Sequence, residues 1–390
     1  MSEVCITDFR LSSMLYWQKK DFKKPMTYTS DSIRNILLTY YDEHRRDLPW
    51  RQVRTPYGTW ISETMLQQTR VATVIPYYYR FLEEFPDLRT LAEAPTDRVY
   101  KVWEGLGYYS RARNLQNGAR FVLEHENGEL PDDVERLRKI PGIGPYTAGA
   151  IASLAFGKAE AAVDGNVIRV FSRLYAMRIS AKDESSKRLI AEKVRLSLPE
   201  YRPGDFNEAI MDVGAGICLP KRPLCAECPL QTVCQANLLG IQNELPLRTP
   251  KNPNPEFPKT VVVCFQDDKV LLHRRPSTGL LANLYEFLML DGHLSEEDVI
   301  NETVRAVGLT PSSCDVTVSQ LAPSRHVFSH LTWEMEAFRV EFTRKKTGPE
   351  ILFSECRPDY LFVDREAASL LAFPSALKVY VPEILPESKD

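Results

Sequence analysis

The hydrophobic period of this chain changes once, across a run of prolines, and the two sides of that change cannot share one fold. From Ser30 to about Leu239 apolar residues recur at helical spacing. Ile33, Leu37, Leu38 and Tyr41 form the first stripe, with Ser30 or Asp31 placed to cap it. Further helices are predicted over Ile61–Phe85 (bent near Pro76), Thr96–Glu104, Ser110–Glu124, Asp133–Lys139, Tyr146–Phe156, Gly165–Tyr175, Ser185–Leu198 and Asp205–Gly214. Pro246, Pro250, Pro253, Pro255 and Pro258 then forbid helix or central strand and predict an extended linker. Beyond them the period is two. Thr260–Phe265 and Lys269–Arg274 read as strands joined by an acidic turn at Asp267–Asp268, and Val327–Phe342 as another strand. Ser375–Tyr380 reads as a short helix begun by Pro374 and stopped before Pro382.

These patterns predict a tail over 1–29, an all-α domain over 30–240, a linker over 241–257 and an α+β domain over 258–390. A chain of 390 residues is long enough for two cores. The net charge of −3 does not by itself mark a nucleic-acid binder, but binding follows local potential rather than the sum. No apolar run approaches the roughly 18 residues of a membrane span, and the first 25 residues hold no long apolar core of the kind an export signal needs.

Half of the eight cysteines crowd together: Cys218, Cys225, Cys228 and Cys234 are separated by six, two and five residues. With no export signal, disulfides are disfavoured, and four close thiolates suit a metal centre, either structural zinc or iron–sulfur. A second candidate site is Pro141-Gly142-Ile143-Gly144-Pro145, between two helical patterns. Its glycines permit close backbone approach, so Gly142, Gly144 and the following helix start can hold a phosphate; a plain tight turn is the simpler alternative. Asp164 stands just before a helical pattern, where an aspartate also serves as an ordinary N-cap.

The hairpin, followed by Ala162-Val163-Asp164-Gly165-Asn166-Val167, resembles the helix-hairpin-helix DNA glycosylases, in which that aspartate is catalytic. Within that superfamily Trp60-Ile61-Ser62-Glu63-Thr64-Met65-Leu66-Gln67-Gln68-Thr69, Leu48-Pro49-Trp50-Arg51 and Trp103-Glu104-Gly105-Leu106-Gly107-Tyr108-Tyr109-Ser110-Arg111 are similar to segments of the MutY family, in order and over residues 30–240. The lyase branch resembling endonuclease III carries a lysine shortly after the hairpin; here the position is Tyr146, which cannot form an imine.

The resemblance implies a monofunctional glycosylase acting on adenine mispaired with 8-oxoguanine or guanine in double-stranded DNA. It implies Glu63 as general acid, Asp164 as the anion facing the sugar, Tyr146 and Asn166 ordering that region, and Arg51 and Glu208 at the adenine edge. Gln68 and Tyr108 would wedge into the duplex, and the four cysteines would hold a [4Fe–4S] cluster, with Lys221 and Arg222 beside it facing phosphates. Residues 256–390 resemble the Nudix-like domain of the same family. Gly279–Phe287 matches a family stretch, while the helix around Asn301–Leu309 lacks the clustered glutamates that would hold Mg²⁺. Phe328, Ser329 and His330 match the family loop that reads 8-oxoguanine. A monomer is expected, cytoplasmic and nucleoid-associated if the chain is bacterial.

Overall fold

The computed structural model describes residues 29–248, 252–308, 314–344 and 359–385. Nearly all of the expected tail, and with it Cys5, lies outside them, as do Pro250 and Cys356.

The helical part runs α1 (Ser30–His44), α2 (Pro49–Gln52), α3 (Pro56–Leu66), α4 (Val71–Glu84), α5 (Leu88–Glu93), α6 (Thr96–Trp103) and α7 (Ser110–His125). It continues through α8 (Val134–Leu137), α9 (Pro145–Leu154), α10 (Gly165–Leu174), α11 (Glu184–Ser197), α12 (Pro203–Gly216) and α13 (Gln235–Leu239). The first cap is Thr29 rather than Ser30 or Asp31; its hydroxyl accepts the Ser32 N–H. The long helix expected over Ile61–Phe85 is two helices. Pro76 sits inside α4, and the break falls at Gln67–Arg70, where Gln68 takes φ 60°.

The helices form two lobes. One core gathers Trp60, Ile61, Met65, Phe81, Trp103 and Leu115. The other gathers Leu37, Tyr41, Val167, Phe171, Ile190 and Phe206. Between them Ala150, Leu154 and Ala162 pack with Tyr146 and Met211, so α9 spans the seam. The hairpin before α9 is tight: Gly142 has φ 85°, and a Cβ there would lie 2.8 Å from Cβ of Asn114.

Seven described strands make one mixed sheet: β1 (Glu256–Gln266), β2 (Lys269–Arg274), β3 (Tyr285–Glu286), β4 (Leu288–Asp291), β5 (Cys314–Val327), β6 (Thr332–Arg344) and β7 (Tyr360–Asp364). The order is β3-β2-β1-β6-β5, with β4 paired to β1 and β7 to β2. β1 runs parallel to β6; the other pairings are antiparallel. Val261, Val263 and Phe265 face one core while Val262 and Cys264 face the other, beneath α14 (Glu296–Val307). Both faces are covered, so the strand reads as a continuous apolar run.

Three expectations for this half need correction. The strand pattern over Val327–Phe342 is the end of β5, a turn, and β6: the Phe328 N–H closes the turn on the Leu331 carbonyl at 2.8 Å. The terminal helix is a 3-10 helix, Ser375–Ile384, that continues through Pro382. β1 begins at Glu256 and includes Pro258, which the linker reading had kept out of the sheet.

The second domain docks against α6 and α7. Tyr109 Oη donates to the Phe373 carbonyl at 3.3 Å, Lys101 to the Leu371 carbonyl at 3.0 Å, and Arg274 pairs with Asp97 at 3.1 Å.

Candidate active site at the seam of the two helical lobes

α3 places Glu63 one turn from its end, between core residues Trp60, Ile61 and Met65, and the side chain is buried (4% exposed). α9, started by Gly144 and Pro145, turns Tyr146 towards it, and the phenol hydroxyl donates to Glu63 Oε2. Burial pushes the Glu63 carboxyl from its ordinary 4.5 up to about 7. The Tyr146 hydrogen bond opposes this, Glu208 and Asp164 reinforce it, and Arg51 opposes it. A carboxyl poised there can hold a proton at neutral pH and give it up to a base.

Asp164 caps α10. Its Oδ1 accepts the Val167 N–H at 2.8 Å and its Oδ2 accepts Asn166 Nδ2 at 2.7 Å. Burial raises its pKa, while these bonds favour the anion. The capping reading and the site reading therefore coexist. Asn166 Oδ1 accepts from Arg169 at 2.8 Å, and Arg169 Nε reaches the Cys218 carbonyl at 2.7 Å, joining Asp164 to the cysteine loop.

Arg51 and Glu208, expected at the base edge, are engaged with one another at 3.0 Å. Arg51 also binds Asp212 at 2.8 Å, while Glu208 accepts from Arg54 at 2.6 Å and from the Tyr41 hydroxyl. Arg46 completes the network on Asp212 at 2.5 Å. Sequence reasoning had placed Tyr41 only in the first apolar stripe and had not singled out Arg46, Arg54 or Asp212. The available signal was Glu208 and Asp212, four residues apart on a predicted helix and so on one face.

Gln68 and Tyr108 (44% exposed) sit at two neighbouring loop tips, with φ 60° and 48°. They line one open pocket with Gln67, Arg111, Asn114 and Gly142. Glu63, Asp164 and Tyr146 lie outside that pocket. Arg111 had been noticed only as part of a motif; it is buried, and burial pulls it down to about 10.

Cys218, Cys225, Cys228 and Cys234 line another pocket, and burial pushes the Cys228 thiol up to about 12. Among the described residues no three His, Cys, Asp or Glu side chains are arranged to hold a single metal ion. Four sulfur donors lining one pocket are a set that either a zinc ion or an iron–sulfur cluster accepts. Arg173, buried in α10, donates to Cys218 Sγ at 3.2 Å and to the Leu245 carbonyl at 2.9 Å.

In the second domain Phe328 packs edge-on against Trp333, leaving Ser329 and His330 exposed and 3.3 Å apart at the tip. Asn254, from the segment before β1, donates to the Phe328 carbonyl at 2.7 Å and the Leu331 carbonyl at 3.3 Å. Among the described residues no helix is long and apolar enough to cross a membrane.

Residues 61–196 match the model of the HhH-GPD superfamily base excision DNA repair proteins, and residues 260–382 that of the NUDIX domain. The chain is 35% identical over 376 residues to the adenine DNA glycosylase of Mus musculus, covering 82% of this chain and 72% of that protein. The chain belongs to the adenine DNA glycosylase family. A bacterial member, from Buchnera aphidicola subsp. Baizongia pistaciae, is 35% identical over 306 residues, covering 77% of this chain and 83% of its own. Among solved structures, a thermostable thymine-DNA glycosylase superposes with a TM-score of 0.50 at 29% identity, covering 54% of this chain and 97% of that one. Family membership thus spans both the helical part and the sheet domain.

Proposed function

We propose that this chain is a monofunctional glycosylase that removes adenine facing 8-oxoguanine or guanine in double-stranded DNA, working as a monomer by acid-assisted hydrolysis. One observation carries the reading. A buried carboxyl poised near neutrality, Glu63, is touched by a phenol rather than a lysine, in a seam that also presents the anion Asp164.

The target adenine must first leave the stack, because neither carboxyl can reach it within a duplex. Protonated Glu63 gives its proton to adenine N7, and the C1′–N9 bond breaks with its electron pair leaving on the base. Such positioned transfer contributes about 10²- to 10⁴-fold. Asp164, held ionised by the Val167 and Asn166 N–H groups, stabilises the cationic sugar. Water adds at C1′ and its proton returns to Glu63. Tyr146 orders Glu63 through its hydroxyl, and with no amine at that position the strand is left uncut. Arg51 and Glu208 would face the edge of the extruded base.

Gly142, Gly144 and the start of α9 hold phosphate, and Gln68 and Tyr108 fill the gap the base leaves. Phe328, Ser329 and His330 read 8-oxoguanine. Cys218, Cys225, Cys228 and Cys234 would hold a [4Fe–4S] cluster, which fixes the loop that brings Lys221 and Arg222 to the backbone.

The test is incubation with duplexes pairing adenine with 8-oxoguanine, guanine, cytosine or thymine, then measurement of free adenine and of strand breaks with and without hot alkali. Adenine released fastest opposite 8-oxoguanine, with breaks only after alkali, is expected. Breaks without alkali, or no release from any pair, would refute the reading.

A further inference from the structure

We propose that Arg111 is a positioning residue that locks the two wedge loops to the end of the helix carrying the acid, and so sets how readily the adenine is extruded. The inference rests on the glycosylase reading above.

Arg111 is the second residue of α7 and only 7% exposed. Its Nη1 donates to the carbonyls of Thr64 at 3.0 Å, Met65 at 2.7 Å and Gln67 at 2.7 Å. Its Nη2 donates to the carbonyls of Leu106 and Gly107, both at 3.1 Å, and to Thr69 Oγ1 at 3.2 Å. The guanidinium also lies 5.3 Å from the Trp103 ring centre and 5.6 Å from that of Tyr108. Its partners are carbonyls, one hydroxyl and two rings, with no carboxylate among them, and Nε is buried without a partner. A cation taken from water without a counter-charge is an expensive way to fill a core.

What the arrangement provides is geometric. α3 ends at Leu66 and leaves carbonyls with no partner in the helix, at the negative end of its dipole. Arg111 satisfies those of Thr64 and Met65, the two residues that follow Glu63. The same fork then flanks both left-handed residues: the Gln67 carbonyl and Thr69 hydroxyl bracket Gln68, and the Leu106 and Gly107 carbonyls precede Tyr108. Non-glycine residues held at positive φ cost on the order of 1 kcal/mol or more each, and persist only where neighbours over-determine them. One planar side chain with five donors can over-determine both tips at once, and a lysine, with three donors on a point charge, cannot. The wedge and the acid are thereby held in one fixed relation.

The positioning role makes a prediction that mere packing does not. Loss of Arg111 should hurt excision only where the enzyme must push a base out of a pair. The test uses the full-length holoprotein and Arg111→Lys, with single-turnover adenine release from two duplexes, adenine facing 8-oxoguanine and adenine facing an abasic-site analogue. The variant should be slower by about 10²-fold on the paired duplex and within about 3-fold of the parent on the unpaired one. A 2-aminopurine placed beside the target should lose its rise in fluorescence on binding. Tyr108→Ala should slow the parent, yet add less than about 3-fold to Arg111→Lys, because the lysine variant has already released that wedge.

Equal slowing on both duplexes, no slowing on either, or effects of the two substitutions that multiply would overturn the proposal. Should Arg111→Lys not fold, Thr69→Val removes one partner at the first loop and should be slower on the paired duplex alone, by about 3- to 5-fold; a uniform effect or none refutes the idea equally. If the parent protein frees no adenine from any duplex, it is the glycosylase reading that has failed.

Discussion

Replacing Glu63 with Gln keeps the shape of the side chain and removes its titration, and the consequence can be worked from the burial that raises its carboxyl. Gln can still accept from the Tyr146 hydroxyl. The native carboxyl titrates near 7 and the unfolded one near 4.5. A carboxyl raised in this way leaves the native state at full stability below 4.5, and the advantage is lost as pH climbs through about 7, where the folded protein must bury an anion. At about 1.4 kcal/mol for each tenfold change in ionisation, the gap amounts to about 3 kcal/mol. No discount for solvent screening is due, because Glu63 is 4% exposed. Glu63→Gln should therefore gain stability relative to the parent as pH rises, levelling off above about pH 8. For a domain of this size that corresponds to about 6–12 °C in Tm. Thermal unfolding of both proteins, followed by circular dichroism from about pH 5 to about pH 8.5, reads the difference directly. The same preparations should bind mismatched duplex normally and release no adenine. If the two Tm curves run parallel across that pH range, the carboxyl ionises as in water, and the case for it as general acid collapses.

The rate of adenine release should fall above about pH 7, where Glu63 loses its proton. It should fall again in acid, where Asp164, raised by burial, gains one; a rate flat between about pH 6 and 9 would contradict the Glu63 assignment, and the absence of any acid limb would contradict that of Asp164. Asp164→Asn should keep the cap on α10, since Asn caps as well as Asp. It should lower excision by about 10²- to 10³-fold or more through loss of the anion, and a drop in helix content instead would make the residue structural. Cys228→Ala should abolish bound iron and sulfide in colorimetric assay of the purified protein; full iron content would exclude Cys228 as a ligand. Asn254→Ala frees the Phe328–Leu331 turn from its tether and should reduce the preference for 8-oxoguanine over guanine by about 5-fold, on the order of 1 kcal/mol. Unchanged discrimination would separate that loop from lesion reading.

Where the backbone follows local chemistry, the sequence was sufficient. Asp164 before an apolar stripe foretold the cap on α10, and the helical pattern from Tyr146 foretold α9, which begins one residue earlier at Pro145. It misled where a local pattern ran through a tertiary event. Apolar alternation continues across the β5–β6 turn because Phe328 folds back onto Trp333, so the turn looks like strand. Pro76 looks like the bend between α3 and α4, but Gln68 makes it, held in the left-handed region by Arg111 from 43 residues away, a partner that no local rule can supply. The same holds for Arg51, whose expected place at a base edge is set by Glu208 and Asp212 from a helix more than 150 residues distant. One signal for these groups was present nonetheless. Glu63 among Ile61 and Met65, and Arg173 between Val170 and Leu174, put charge on helix faces that otherwise bury apolar side chains. Burying such a charge is costly unless something partners it, so each misplaced charge marks a place where distant elements must converge. In this chain the points of convergence are the seam around Glu63, the cysteine loop under Arg173 and the wedge around Arg111. Burial that conceals these groups from a reading of periodicity also gives Glu63 its raised pKa, and with it a proton to donate at neutral pH.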